Sequence, residues 1–240
     1  MSGMPLFLWG VYPYLVLTVF VIVLIVRMRN DPFGWTSKSS EFLEKRWLRW
    51  GSLLFHWGIL FVVAGHVAGL LIPIQWHRGM GISDEIYHAI AVWAGSLAGL
   101  AAGVGALILL FRRLLDRRIR VTSTPGDLLS IVMITLVIMT GMTATLFNGL
   151  DHSGFDYRET ISPWLRGVLL LQPDPSLMET VPITFKIHIV LAFALFALWP
   201  FTRLVHAFSF PLWYLRRSYV VYRRRGHRPS SQSMEKSVTH

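Results

Sequence analysis

Residues 51–74 read GSLLFHWGILFVVAGHVAGLLIPI, an apolar run with no Asp, Glu, Lys or Arg and with two histidines, His56 and His66. At a rise of about 1.5 Å per residue, a helix of this length crosses the roughly 30 Å hydrocarbon layer of a bilayer. Four further stretches share its character: approximately Met4 to Val26, Ala89 to Phe111, Leu128 to Leu150 and Ile183 to Trp199, with Lys186 the only full charge among them. The chain of 240 residues is 53% hydrophobic and only 15% charged, with a mean hydropathy of +0.50. A soluble domain is about one-quarter charged, so this balance points to lipid. The expectation is an all-α integral membrane bundle of five transmembrane helices. The first stretch has no basic region before it and no small-residue cleavage site after it, which marks it as a retained anchor rather than a signal peptide.

The formal net charge of +10 is unevenly placed. Arg27, Arg29, Lys38, Lys45, Arg46 and Arg49 follow the first stretch; Arg112, Arg113, Arg117, Arg118 and Arg120 follow the third; Arg203, Arg216, Arg217, Arg223, Arg224, Arg225 and Arg228 follow the fifth. The other two connections carry Arg78, Arg158 and Arg166, the latter two among Asp151, Asp156, Glu159, Asp174 and Glu179. By the positive-inside rule the basic segments are cytoplasmic, which sets the amino terminus outside and the carboxyl terminus in the cytoplasm. Anionic lipid accounts for the basic excess and no nucleic acid is needed.

Cysteine is absent. Thiolate-held iron–sulfur clusters, CxxCH haem attachment, disulfides and catalytic thiols are therefore excluded in this chain. Interfacial pieces are expected at Ser40 to Lys45 and around Ser162 to Leu170, and the tail 226–240, with Pro229 and its serines, reads as disordered. Gly95, Gly99 and Gly103 form a small-residue ridge for helix packing. Gly58, Gly65 and Gly69 fall near one face of the second stretch and leave a groove beside His66, able to admit a helix or a porphyrin.

An intramembrane histidine carries a desolvation penalty unless it is paired or ligates something, and here there are four: His56, His66, His188 and His206. The second and fifth stretches run in opposite directions, so His56 and His206 fall toward the cytoplasm while His66 and His188 fall toward the outside. Two pairs at two depths are what a bundle needs to clamp one haem per pair. The spacing strains this reading, because a continuous helix separates His56 from His66 by about 15 Å and His188 from His206 by about 27 Å. Tilted ligand axes and a kink at Pro200 are the devices available to absorb the difference. Hydrogen bonds between helices are the alternative use of such histidines. Zinc lacks a joining carboxylate, and a proton relay lacks a buried Asp or Glu within the apolar stretches.

Leu54-Phe55-His56-Trp57-Gly58-Ile59-Leu60 with Gly65-His66, and Phe185-Lys186-Ile187-His188 with Pro200-Phe201-Thr202-Arg203-Leu204-Val205-His206, resemble the gamma subunit of bacterial respiratory nitrate reductase, a di-haem cytochrome b. Tyr12-Pro13-Tyr14, Arg112-Arg113 and Thr122 to Asp127 add to the likeness, which runs to about Tyr222. The resemblance implies a membrane domain over residues 1–225, in the bacterial inner membrane. It implies two b haems, a proximal one held by His56 and His206 and a distal one held by His66 and His188. Menaquinol or ubiquinol would be oxidised near the outer face, and electrons would pass to an iron–sulfur beta subunit and a molybdenum-cofactor alpha subunit on the cytoplasmic side. The family places a quinol-linked lysine at the outer start of the third helix. This sequence has Ile86, Tyr87, His88 and Ala89 there, which makes Tyr87 and His88, with Gly65, the quinol-site candidates. Arg112, Arg113 and Arg203 are candidates for haem propionates, a role that competes with anchoring in lipid headgroups. Two other readings stand: a di-haem subunit of a sulfite-, heterodisulfide- or formate-linked complex, and a non-haem membrane transporter.

Overall fold

The computed structural model describes residues 3–30, 44–150 and 155–208. Among these residues the chain forms helices and no strand, and five helices are long and apolar enough to cross a membrane: Gly3–Asn30, Arg46–Leu71, Asp84–Leu115, Pro125–Phe147 and Ile183–Phe201. The third and fourth spans begin where side chains satisfy loose N–H groups. The Ser83 hydroxyl accepts the Ile86 amide at 3.3 Å, with Asp84 and Glu85 in the first turn of the third span. The fourth span opens on a reciprocal cap: the Thr124 amide donates to Asp127 Oδ2 at 3.0 Å, the Asp127 amide donates to Thr124 Oγ1 at 3.3 Å, and Pro125 fills the first helical position.

The second span packs on the third, the third on the fourth, the fourth on the fifth and the fifth on the first. Glycines set how closely. A Cβ on Gly58 would strike the backbone of Ala102, and one on Gly105 the backbone of Phe55, so the second and third spans touch main chain to main chain. Gly99 and Gly103 of the expected ridge take Met142 and Ile138 of the fourth span. Among the described residues no such backbone packing joins the second and fifth spans; side chains bridge them.

The helix expected around Ser162 to Leu170 is present at Ile161–Leu169, and its inner face is sealed into the end of the bundle. Trp164 and Val168 are buried with Trp9, Met178 and Phe193, and Trp164 Nε1 donates to the Trp9 carbonyl at 2.9 Å. Where the second span closes in a wide turn at Val67–Leu71, Ser162 Oγ donates to the Gly69 carbonyl at 2.8 Å and Arg166 to the Leu70 carbonyl at 3.1 Å. Carbonyls that a helix end leaves loose are thereby satisfied.

The fifth span departs from a continuous helix. It runs as α-helix over Ile183–Leu198, tightens at Trp199–Phe201, passes through an extended Thr202 (φ −116°, ψ −179°) and resumes as a short 3-10 segment, Arg203–Phe208. Pro200 has no N–H to continue the ladder. His206 therefore stands on its own segment, and the continuous-helix spacing expected for His188 and His206 does not apply. The interfacial piece expected at Ser40 to Lys45 falls mostly on residues 31–43, and the boundary at 225 with its tail on residues 209–240. Both lie outside the described residues.

Candidate functional site

The break brings the four histidines into two facing pairs. The rings of His56 and His206 have centroids 6.4 Å apart at an interplanar angle of 66°, and those of His66 and His188 are 6.1 Å apart at 43°. Along the second span His56 and His66 are separated by about 15 Å of helix. The stretch from His188 to Leu198 covers the same length before the helix stops, which removes the mismatch in depth.

All four imidazoles are oriented the same way. His56 Nδ1 donates to the Ser52 carbonyl at 2.7 Å, His66 Nδ1 to the Val62 carbonyl at 2.8 Å, His188 Nδ1 to the Val137 carbonyl at 3.1 Å and His206 Nδ1 to the Arg203 carbonyl at 2.6 Å. A carbonyl oxygen can only accept, so each proton sits on Nδ1 and each lone pair on Nε2. Hydroxyls stand at two of these nitrogens: Ser52 Oγ at 3.1 Å from His56 and Thr140 Oγ1 at 3.3 Å from His188. Sequence reasoning found the histidines and missed these partners. The second-span acceptors lie four residues back along the same helix, a regular helical relation, whereas Val137 belongs to a different span.

This donor set suits a porphyrin iron. Two imidazoles that each set a nitrogen about 2.0–2.1 Å from one metal, with ring centres roughly 1 Å beyond, have centroids about 6 Å apart. Among the described residues no group of three or more His, Cys, Asp or Glu is arranged to hold a bare ion. A zinc ion would need that third and fourth ligand, whereas haem brings four ring nitrogens and asks the protein for axial ligands alone.

The three arginines expected at haem propionates are engaged by carboxylates of this chain. Arg112 Nε meets Glu44 Oε2 at 2.7 Å, while Arg203 Nε and Arg113 Nη1 converge on Asp127 at 2.8 and 3.5 Å. Asp127 is itself buried at 4% exposure, at the end of the Thr122 to Asp127 segment that carried part of the family likeness.

At the opposite end the quinol-site candidates separate. Gly65 is exposed, with no atom within 4 Å of where a Cβ would stand. His88 is exposed on the first turns of the third span. The Tyr87 hydroxyl is instead 3.1 Å from that of Tyr157, and its ring lies 4.7 Å from the buried His77 ring and under the Arg158 guanidinium at 4.1 Å. Burial, then its hydrogen bond with Tyr87, push the Tyr157 phenol well above its ordinary range. A Cβ on Gly69 would stand 2.6 Å from the Tyr157 hydroxyl and 3.0 Å from that of Tyr87, so this cluster closes on the turn just after His66.

A family model described as nitrate reductase gamma subunit matches residues 5–225. The nitrate reductase gamma chain of Bacillus subtilis is 55% identical over 225 residues, spanning 94% of this chain and 100% of that protein. The nitrate reductase-like protein NarX of Mycobacterium tuberculosis is 43% identical over 218 residues, 90% of this chain and 33% of that longer protein. The respiratory nitrate reductase 1 gamma chain of Escherichia coli is 31% identical over 226 residues, with 94% and 100% covered.

Proposed function

The chain belongs to the nitrate reductase gamma subunit family, and from that premise we propose that it carries electrons from quinol to a cytoplasmic iron–sulfur subunit of a nitrate-reducing complex. The family is a membrane component of a multi-subunit oxidoreductase, which leaves nitrate reduction itself to a partner holding the molybdenum cofactor. The observation that carries the proposal is the double imidazole pair, each ring fixed through Nδ1 to a carbonyl. Two b haems held by these pairs would supply one-electron carriage between a two-electron donor and one-electron acceptors.

This chain's residues do the rest. His56 and His206 lie at the end bearing Arg27, Arg112, Arg113 and Arg203, the cytoplasmic end of a bacterial inner membrane by the positive-inside rule. His66 and His188 then lie toward the outer face. There Gly65 leaves the second span bare one residue before His66, room for the flat ring of menaquinol or ubiquinol, and the exposed His88 offers an imidazole to receive a quinol proton. Protons released outside and electrons moved inward both charge the membrane, since carrying one electron against a negative-inside potential requires about 2.3 kcal/mol per 100 mV. The nitrate reductase relatives favour this partner over a sulfite-, heterodisulfide- or formate-linked complex, and family membership displaces the transporter reading.

Membranes containing the full chain test the proposal. Added quinol should reduce a b-type absorbance, added nitrate should reoxidise it, and the chain should co-purify with a molybdenum-containing nitrate reductase. A chain that purifies with a different oxidoreductase, or whose absorbance ignores quinol, would refute it.

A further inference from the structure

Three of the four histidines stand on long helices; His206 does not. Its six-residue 3-10 segment, Arg203–Phe208, is of a kind that does not persist alone in water or lipid. Two side chains from other spans peg it. Arg27 of the first span donates from Nη1 to the Pro200 carbonyl at 2.6 Å and to the Thr202 carbonyl at 2.9 Å, satisfying the groups that the helix break leaves loose. Asp127 of the fourth span, its side chain 3% exposed, holds the Arg203 Nε at 2.8 Å. The same Arg203 offers its carbonyl to His206 Nδ1 at 2.6 Å. Arg203 is thus gripped at its guanidinium and grips the imidazole at its main chain.

The fourth span also holds the other fifth-span histidine, because the Val137 carbonyl accepts from His188 Nδ1 at 3.1 Å. Asp127 and Val137 are ten residues apart on the fourth span, as His56 and His66 are on the second. Both intervals amount to about 15 Å of helix. One helix carries two imidazoles directly, and a second carries the anchors of their partners at the same interval.

We propose that Asp127 is the positioning residue for the His56–His206 pair, acting through Arg203 to set His206 at the level of His56. The inference rests on the reading that this pair holds a haem. It assigns Asp127 a part in metal-ligand placement that its capping role at Thr124 does not require.

The test uses the full-length chain in its membrane, with optical and electron paramagnetic resonance spectra of the low-spin haems. His206→Ala identifies the signal of one pair and His66→Ala that of the other. Asp127→Asn should weaken or shift the signal that His206→Ala removes, with retention lowered roughly 10–100-fold, and leave the other signal as in wild type. Arg203→Gln should reproduce that selective loss, and Arg203→Lys, which keeps the ion pair, should restore it. Wild-type spectra in both Asp127→Asn and Arg203→Gln would overturn the proposal, as would equal loss of both signals in the two variants. If Asp127→Asn alone lost both signals, the Arg203→Gln and Arg203→Lys pair would decide by the same criterion. A wild-type chain with no b-type spectrum would instead defeat the haem reading beneath it.

Discussion

The imidazole of His188 is lodged against Gly141 of the fourth span: a Cβ at that position would stand 2.9 Å from Cε1, 3.2 Å from Nδ1 and 3.5 Å from Nε2 of the ring. The contact lies one turn beyond Val137, whose carbonyl fixes the same ring through Nδ1. A helix that must hold an imidazole by its main chain has to remove its own side chains from the way, and glycine does so.

Gly141→Ala is therefore expected to push His188 out of line with His66. Haem retention at that pair should fall roughly 10–100-fold while the His56–His206 pair keeps its haem. Haem content per purified chain, with the spectrum assigning which signal remains, measures the effect. An unchanged His66–His188 signal would show that the ring has room to move.

Gly65→Leu should act in the opposite manner. Nothing stands within 4 Å of the new Cβ, so folding and both haems should survive the change. If a quinol ring lies on the bare face beside His66, its apparent KM should rise by an order of magnitude or more, a loss of about 1.4 kcal/mol or more of binding. A normal KM would move the quinol site elsewhere.

Gly58→Ala and Gly105→Ala each insert a methyl group between the main chains of the second and third spans. Overpacking of this kind is expected to cost about 1–3 kcal/mol. Lowered thermal stability in detergent, with both haem signals weakened together, is the expected signature and contrasts with the selective loss expected of Gly141→Ala.

Glu44 gives a pH dependence. Burial would raise its carboxyl, but donation from the Trp47 amide at 2.7 Å, from Arg112 Nε at 2.7 Å and from the Leu48 amide at 3.1 Å outweighs burial and holds it below the ordinary value of 4.5. A carboxylate lowered by folding contributes stability that is complete above its unfolded value and is lost as pH falls through its folded one. Wild type should therefore exceed Glu44→Gln in melting temperature near neutral pH, and the two should converge as pH falls well below 4.5. A gap independent of pH would remove the ion pair to Arg112 as its source.

Much of this architecture was legible in the sequence because lipid leaves helices few ways to differ. Uncharged runs marked the spans, and opposite directions of the second and fifth spans paired His56 with His206 and His66 with His188. The break after Leu198 was legible in part: Pro200 announced a kink, but the extended Thr202 and the separate segment bearing His206 depend on Arg27 and Asp127, which lie far away in sequence. The Val137 carbonyl was invisible for a similar reason, since main-chain acceptors have no letter in a sequence. Asp127 entered only as the end of the Thr122 to Asp127 likeness, because it sits just before the apolar run and its partner Arg203 lies far away in sequence. The Tyr87 hydroxyl, named from the sequence as a quinol-site candidate, stands 3.1 Å from that of Tyr157, a partner that only the folded chain supplies.

Counting haem in the purified chain and its ligand variants tests the central claim most directly. The account predicts two b haems per wild-type chain, one removed by His56→Ala or His206→Ala and the other by His66→Ala or His188→Ala. A colourless wild-type chain, or both haems retained in His66→Ala and His206→Ala, would contradict it.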